Sequence, residues 1–426
     1  MTSETKSTSA FVSNQRVLWA SLAGTSIEFY DFYIYATAAS LVFGPLFFPS
    51  TSPSAQLMSA YATFSLAFVA RPLGAIVFGH FGDRIGRKST LVASLLLMGV
   101  STVAIAFLPT FETAGWLAPF ALCVLRFGQG FGLGGEWGGA ALLAVENAPA
   151  GYRGRFGMVP QLGAPIGFIF ANGLFLVLGL VLTQQQYIAW GWRLPFMASA
   201  VLVAMGLWIR LKLTETPAFA AALAEAPPPK VPLADVLREY PREVIGGVFG
   251  VVATFAIFYI TTAFALGYGT TTLGYPRETF LAVQLGSILF MAFGILLSGA
   301  LSDRFDERRV LMFACGGAAL IGFLLAPMMG SGSLAMTGVF LSGALVFMGM
   351  TYGPLGAWLP GLFPARVRYT GASIAFNVGG ILGGALTPIV AQALATNGGL
   401  VNVGYYLSAT GLISFIALLA LKRRSA

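Results

Sequence analysis

Twelve separate stretches of the chain are each long and apolar enough to cross a lipid bilayer, and that count limits the possible folds more than any single residue does. A hydrocarbon core of about 30 Å takes roughly 20 apolar residues in helical form. Runs of that length lie at roughly 17–43, 56–80, 88–109, 116–146, 156–182, 192–211, 243–271, 278–302, 309–329, 334–361, 368–395 and 400–421. Backbone N–H and C=O groups inside lipid must pair within their own segment, so the runs are read as helices of an all-α membrane protein. Composition agrees, since 57% of the 426 residues are hydrophobic and 9% are charged, too little polar surface to cover a water-soluble globule.

Between the second and third runs stands Gly79-His80-Phe81-Gly82-Asp83-Arg84-Ile85-Gly86-Arg87-Lys88, a charged turn bracketed by glycines. A second copy follows the eighth run as Gly299-Ala300-Leu301-Ser302-Asp303-Arg304-Phe305-Asp306-Glu307-Arg308-Arg309. Arg153-Gly-Arg155 before the fifth run is echoed by Arg366-Val-Arg368 before the eleventh. The chain therefore reads as an internal repeat of two six-helix halves. The expected organisation is a disordered segment 1–15, a first bundle 16–211, a linker 212–242 carrying Pro227-Pro228-Pro229, a second bundle 243–421 and a tail 422–426.

An excess of 24 Lys and Arg over 16 Asp and Glu would suggest nucleic acid in a soluble chain, but here the basic residues gather in the termini and alternate loops. By the positive-inside rule those loops are cytoplasmic, and with an even number of spans both termini are too. Trp190 and Trp192 stand where an outer aromatic anchor is expected. Cys123 and Cys315 lie far apart in apolar runs and His80 is the single histidine, so no disulfide, metal site or other cofactor is expected. A membrane enzyme would need a nucleophile, metal triad or acid–base pair at an interface, and no such spacing occurs.

The duplicated Gly-x-x-x-Asp-Arg-x-Gly-Arg-Lys turn resembles the signature of the major facilitator superfamily, and Arg126-Phe-Gly-Gln-Gly130 resembles that superfamily's second motif. Within it, Glu28-Phe-Tyr-Asp31-Phe-Tyr, Ala70-Arg71-Pro72-Leu73-Gly74 and Gly134-Gly135-Glu136-Trp137-Gly138 are similar to strings of the metabolite:proton symporters, carriers of shikimate, 2-oxoglutarate and proline or betaine. The resemblance covers residues 16 to 421. It implies a fold of twelve spans in two pseudo-symmetric bundles, in the bacterial inner membrane, with a small metabolite and protons as partners; a monomer without a nucleic-acid partner is expected. It also implies a cytoplasmic latch built from Asp83, Arg84, Arg87, Lys88, Glu146 and Arg153, with Asp303 and Arg304 in the second copy. Phe305-Asp306-Glu307 replaces the usual glycine there, which leaves open whether both turns latch alike.

Charges inside the bilayer are costly unless paired or facing a wet cavity, and they mark the chemistry. Glu28 and Asp31 lie in span one, Arg71 in span two, and Arg126 and Glu136 in span four; the second half has none within its helices. At about 1.5 Å rise per residue, Glu28 and Asp31 lie near mid-membrane, and their depth suggests pairing one of them with Arg126, and Glu136 with Arg71. Three acids against two arginines leave one carboxyl to carry a proton. Asp31 is the first choice for that role, Glu28 the second and Glu136 the third. The alternative is a structural ion-pair network tying three helices together.

A substrate carboxylate would engage Arg126 or Arg71, and a zwitterion would add an acid and aromatic faces. The second half offers neutral groups, of which Tyr259, Asn377 and Tyr352 are the preferred ligands, with Asn172 of the first half beside them. The expected activity is proton-coupled symport of a small organic acid or zwitterion by alternating access. An exporter or a facilitator of the same fold is the alternative.

Overall fold

The computed structural model describes residues 3–50, 52–85, 87–134, 136–212, 232–364 and 367–421. Among them nine helical stretches are long and apolar enough to cross a membrane. One of these, Arg368–Ala420, is 53 residues long and turns at Gly399, whose φ of 72° only glycine adopts at little cost, so it makes two crossings. With the helices Ser3–Ala38 and Arg87–Ile105 the count reaches twelve.

The first helix begins at Ser3, so the backbone of residues 3–15 is helical where their polar composition predicts disorder. The prolines and charges of 213–231, in the expected linker, lie outside the described residues. The described end of the linker is a short helix, Pro232–Glu239, ahead of span seven, which opens with Pro241 in its first turn. Proline is at home there because that N–H has no intrahelical partner.

Several spans are interrupted rather than continuous. Span one passes through a π turn at Ala39–Phe43, span seven through one at Ile260–Phe264 and span eleven through one at Ile381–Ala385. In span four the described helices are Leu117–Leu133 and Glu136–Glu146, with Gly134 in a turn after the first. Such breaks free backbone carbonyls, and inside a bilayer these must find partners on neighbouring helices.

Single glycines serve close helix packing in both halves. In the first, a Cβ on Gly74 of span two would collide with the carbonyl of Phe131 in span four; in the second, a Cβ on Gly294 of span eight would collide with that of Val346 in span ten. Corresponding helices therefore approach backbone to backbone at corresponding places. Trp192, expected at the water interface, is instead fully buried against Phe43, Phe47 and Phe196, while Trp190 is exposed. An aromatic at a membrane boundary reads alike in sequence whether it faces lipid or protein.

Candidate functional site

Between the halves lies a narrow cavity, with about 40 Å³ open to the centre of a water-sized sphere. The first half contributes Glu28 from span one and Arg71 from span two, and the second contributes Thr254 and Tyr259 from span seven, Tyr352 from span ten and Asn377 from span eleven. Aromatic faces, among them Phe29, Phe32, Tyr33, Trp137 and Phe258, fill much of the remaining wall. The described lining thus combines one acid, one guanidinium, neutral hydrogen-bonding groups and ring surface.

On the side bearing the chain termini the cavity is floored by Trp137 and Phe376, stacked at 3.7 Å with an interplanar angle of 3°. Beside them Asn377 Nδ2 donates to the carbonyl of Gly134 in span four at 3.3 Å. Farther toward the termini, Asp303 reaches across the halves to the start of span five. Its Oδ1 accepts from Gly154 N at 2.7 Å, its Oδ2 accepts from Arg155 N at 3.4 Å, and Arg155 Nε lies 3.4 Å from Oδ2. A carboxylate at a helix N-terminus meets unpaired N–H groups and the positive end of the helix dipole.

The second turn therefore does join the halves, although it lacks the usual glycine. Asp306, in that glycine's place, takes φ 82° and accepts from Arg308 N at 2.9 Å. Glu146, Arg153 and Arg304 are exposed. The side chains of Asp83, Arg84, Arg87 and Lys88 lie outside the described residues.

The opposite face is also closed. The carbonyl of Ala263, within the π turn of span seven, accepts from Tyr61 Oη at 2.7 Å and Ser40 Oγ at 3.1 Å, both from the first half. Ser65 Oγ donates to the carbonyl of Ala385 at 2.6 Å, at the π turn of span eleven. Arg277, at the start of span eight, stacks 3.6 Å over the ring of Tyr187 and binds Glu278 through Nε at 2.8 Å.

Depth alone misjudged the partner of Arg126. Asp31 is fully buried outside the cavity lining, its Oδ1 accepting from Ser199 Oγ of span six at 2.5 Å. Arg126 has no ion pair among the described residues. Its Nη1 donates to Gln129 and its Nε to the carbonyl of Phe64 at 3.3 Å, while the guanidinium packs 4.0 Å from the Tyr35 ring centroid and 4.4 Å from that of Phe32. Aromatic faces and amide oxygens replace the expected carboxylate. The side chain of Glu136, expected beside Arg71, lies outside the described residues.

Asn172 is likewise elsewhere. Its Oδ1 accepts from Thr37 Oγ1 at 2.7 Å, and it lines a separate small void of about 10 Å³ with Thr262 and Gln284. Sequence reasoning also passed over Gln129, which joins Arg126 to the carbonyl of Asp31 and to Thr102 Oγ1, each at 2.9 Å. Its spacing three residues from Arg126 was the available signal.

The model of the Major Facilitator Superfamily matches residues 21–380. The chain belongs to the Major Facilitator Superfamily. Among curated relatives, the inner membrane metabolite transport protein YhjE of Escherichia coli K12 is 49% identical over 96% of this chain and 94% of its own. The shikimate transporter of the same organism is 37% identical, again over 96% and 94%. Among solved structures, that of a D-xylose–proton symporter aligns with a TM-score of 0.73 at 18% identity, over 95% of this chain and 96% of that one. At that identity the likeness speaks for the fold alone. This member of the superfamily is a multi-pass membrane transporter, not an enzyme.

Proposed function

We propose that this transporter is a symporter that couples inward proton movement to import of a small carboxylate-bearing metabolite, with both termini in the cytoplasm of a bacterial cell. The observation that carries this reading is the placement of Glu28 and Arg71 on one cavity, Arg71 having no ion pair among the described residues. A guanidinium left in that condition inside a membrane protein is costly, and a substrate carboxylate relieves it with two parallel hydrogen bonds. Glu28 then replaces Asp31 as the first choice for the proton. Ionised, it competes with the substrate for the field of Arg71; protonated, it leaves Arg71 to the substrate, so the two ligands favour each other's binding.

Tyr259, Tyr352 and Asn377 orient the body of the substrate, and the aromatic walls receive its apolar or cationic part. Loading takes place with the outer face open. Release follows once the Asp303 latch gives way. Relatives named for shikimate and for proline and betaine support a small carboxylate or zwitterion as the substrate.

Purified protein in liposomes with an imposed inward proton gradient tests the reading, with radiolabelled shikimate, proline and glycine betaine as probes. Uphill uptake of at least one probe is expected, and Glu28→Gln should abolish uphill uptake while sparing exchange. Equilibration without accumulation would mark a facilitator, and outward accumulation an antiporter.

A further inference from the structure

Phe32 lies between the central cavity and a second guanidinium. Its ring lines the cavity, and both arginines pack on it, with the guanidinium carbon of Arg71 4.6 Å and that of Arg126 4.4 Å from its centroid. Arg71 itself lines the cavity; Arg126 does not, and it is fully buried with its Nη2 lacking a hydrogen-bond partner. Two like charges thus share one aromatic ring, with no ion pair to either among the described residues. A buried cation with an unused N–H is a latent anion site, and Phe32, the lining side chain that packs directly on it among the described residues, has no hydrogen-bonding groups.

We propose that Phe32 sets the anion capacity of the cavity: it screens Arg126, so the cavity offers a single guanidinium to one carboxylate, and shortening it opens a second anion subsite that accepts dicarboxylates. This rests on reading the central cavity as the substrate site. Among the described lining residues the charged groups are Glu28 and Arg71, which balance with Glu28 ionised, and this suits a zwitterion, or a monocarboxylate entering with a proton. A second carboxylate finds a cation only behind the ring. Phe32 is therefore a specificity-determining residue whose effect is exerted through Arg126.

The decisive experiment does not depend on transport. Arginine-directed labelling with phenylglyoxal, mapped by mass spectrometry on the purified full chain, should modify Arg71 in the native protein and Arg126 about tenfold more slowly or less. In Phe32→Ala, and in Phe32→Leu should the former fail to fold, Arg126 should label at a rate approaching that of Arg71. Calorimetric titration with succinate and butyrate should show about tenfold or greater gain for succinate relative to butyrate in the same variants, the gain vanishing when Arg126→Gln is added. Equal labelling of both arginines in the native protein, no labelling of Arg71, continued protection of Arg126 in both variants, or the absence of a succinate gain would each overturn the proposal. Failure of proton-driven uptake would leave these outcomes readable and would count against the proposed activity instead.

Discussion

Arg277 lies 3.6 Å over the ring of Tyr187, and the two residues belong to different halves of the molecule. Arg277 begins the helix Arg277–Phe305, whose other end carries Asp303. One helix of 29 residues, about 43 Å long, therefore holds a contact to the first half at each membrane face. A rocking motion that loosens one of these contacts favours keeping the other.

Arg277→Gln should weaken closure of the outer face by about 0.5–2 kcal/mol, the range of a partly desolvated cation–π contact. Tyr187→Phe should be neutral, because the ring is retained and the hydroxyl is buried without a partner. Distance distributions between spin labels at Glu112→Cys and Ser331→Cys, with Cys123 replaced by serine, check this. A broadened outer distance in Arg277→Gln alone is expected.

Asp303→Asn should act at the other end. It removes a charged cap worth about 1–2 kcal/mol from the helix that begins at Arg153, biasing the protein toward opening on the terminal side. Turnover should change while the ranking of competing substrates stays the same. A changed ranking in competition uptake would place Asp303 in recognition instead.

Asp306 has the one positive φ among the described non-glycine residues. Replacement by glycine should be nearly neutral to stability, since relief of about 1–3 kcal/mol of backbone strain offsets the lost cap to Arg308 N. Asp306→Ala keeps the strain and loses the cap, and should lower the unfolding temperature in detergent below that of the glycine variant.

Arg71→Gln should weaken binding of a transported carboxylate by about 2–5 kcal/mol, because the partner charge is then left in the cavity unpaired. Arg71→Lys should recover part of this as a point charge without the bidentate geometry. Equilibrium binding of whichever probe is accumulated by the native protein measures both.

The spans were legible because hydropathy over about 20 residues is a strong signal. Legible too were the residues that stand out chemically in apolar runs: Glu28, Arg71, Tyr259, Tyr352 and Asn377 come together on one cavity although they lie on five spans. What sequence could not supply was direction around each helix. Positions three apart differ by about 60° in azimuth, and that rotation separates Glu28, on the cavity, from Asp31, which meets Ser199. Depth paired Arg126 with a carboxylate because it counts charges and not faces; the structure meets that guanidinium with Tyr35, Phe32 and Gln129.

The cavity takes its acid and its base from one half and neutral groups from the other. A duplicated architecture has thereby become a division of labour that can be inherited separately. On the proposed reading, exchange of Thr254, Tyr259, Tyr352 or Asn377 would retune which molecule fits while leaving Glu28 and Arg71 in place. A lineage of such carriers is free to change its cargo while keeping its motor.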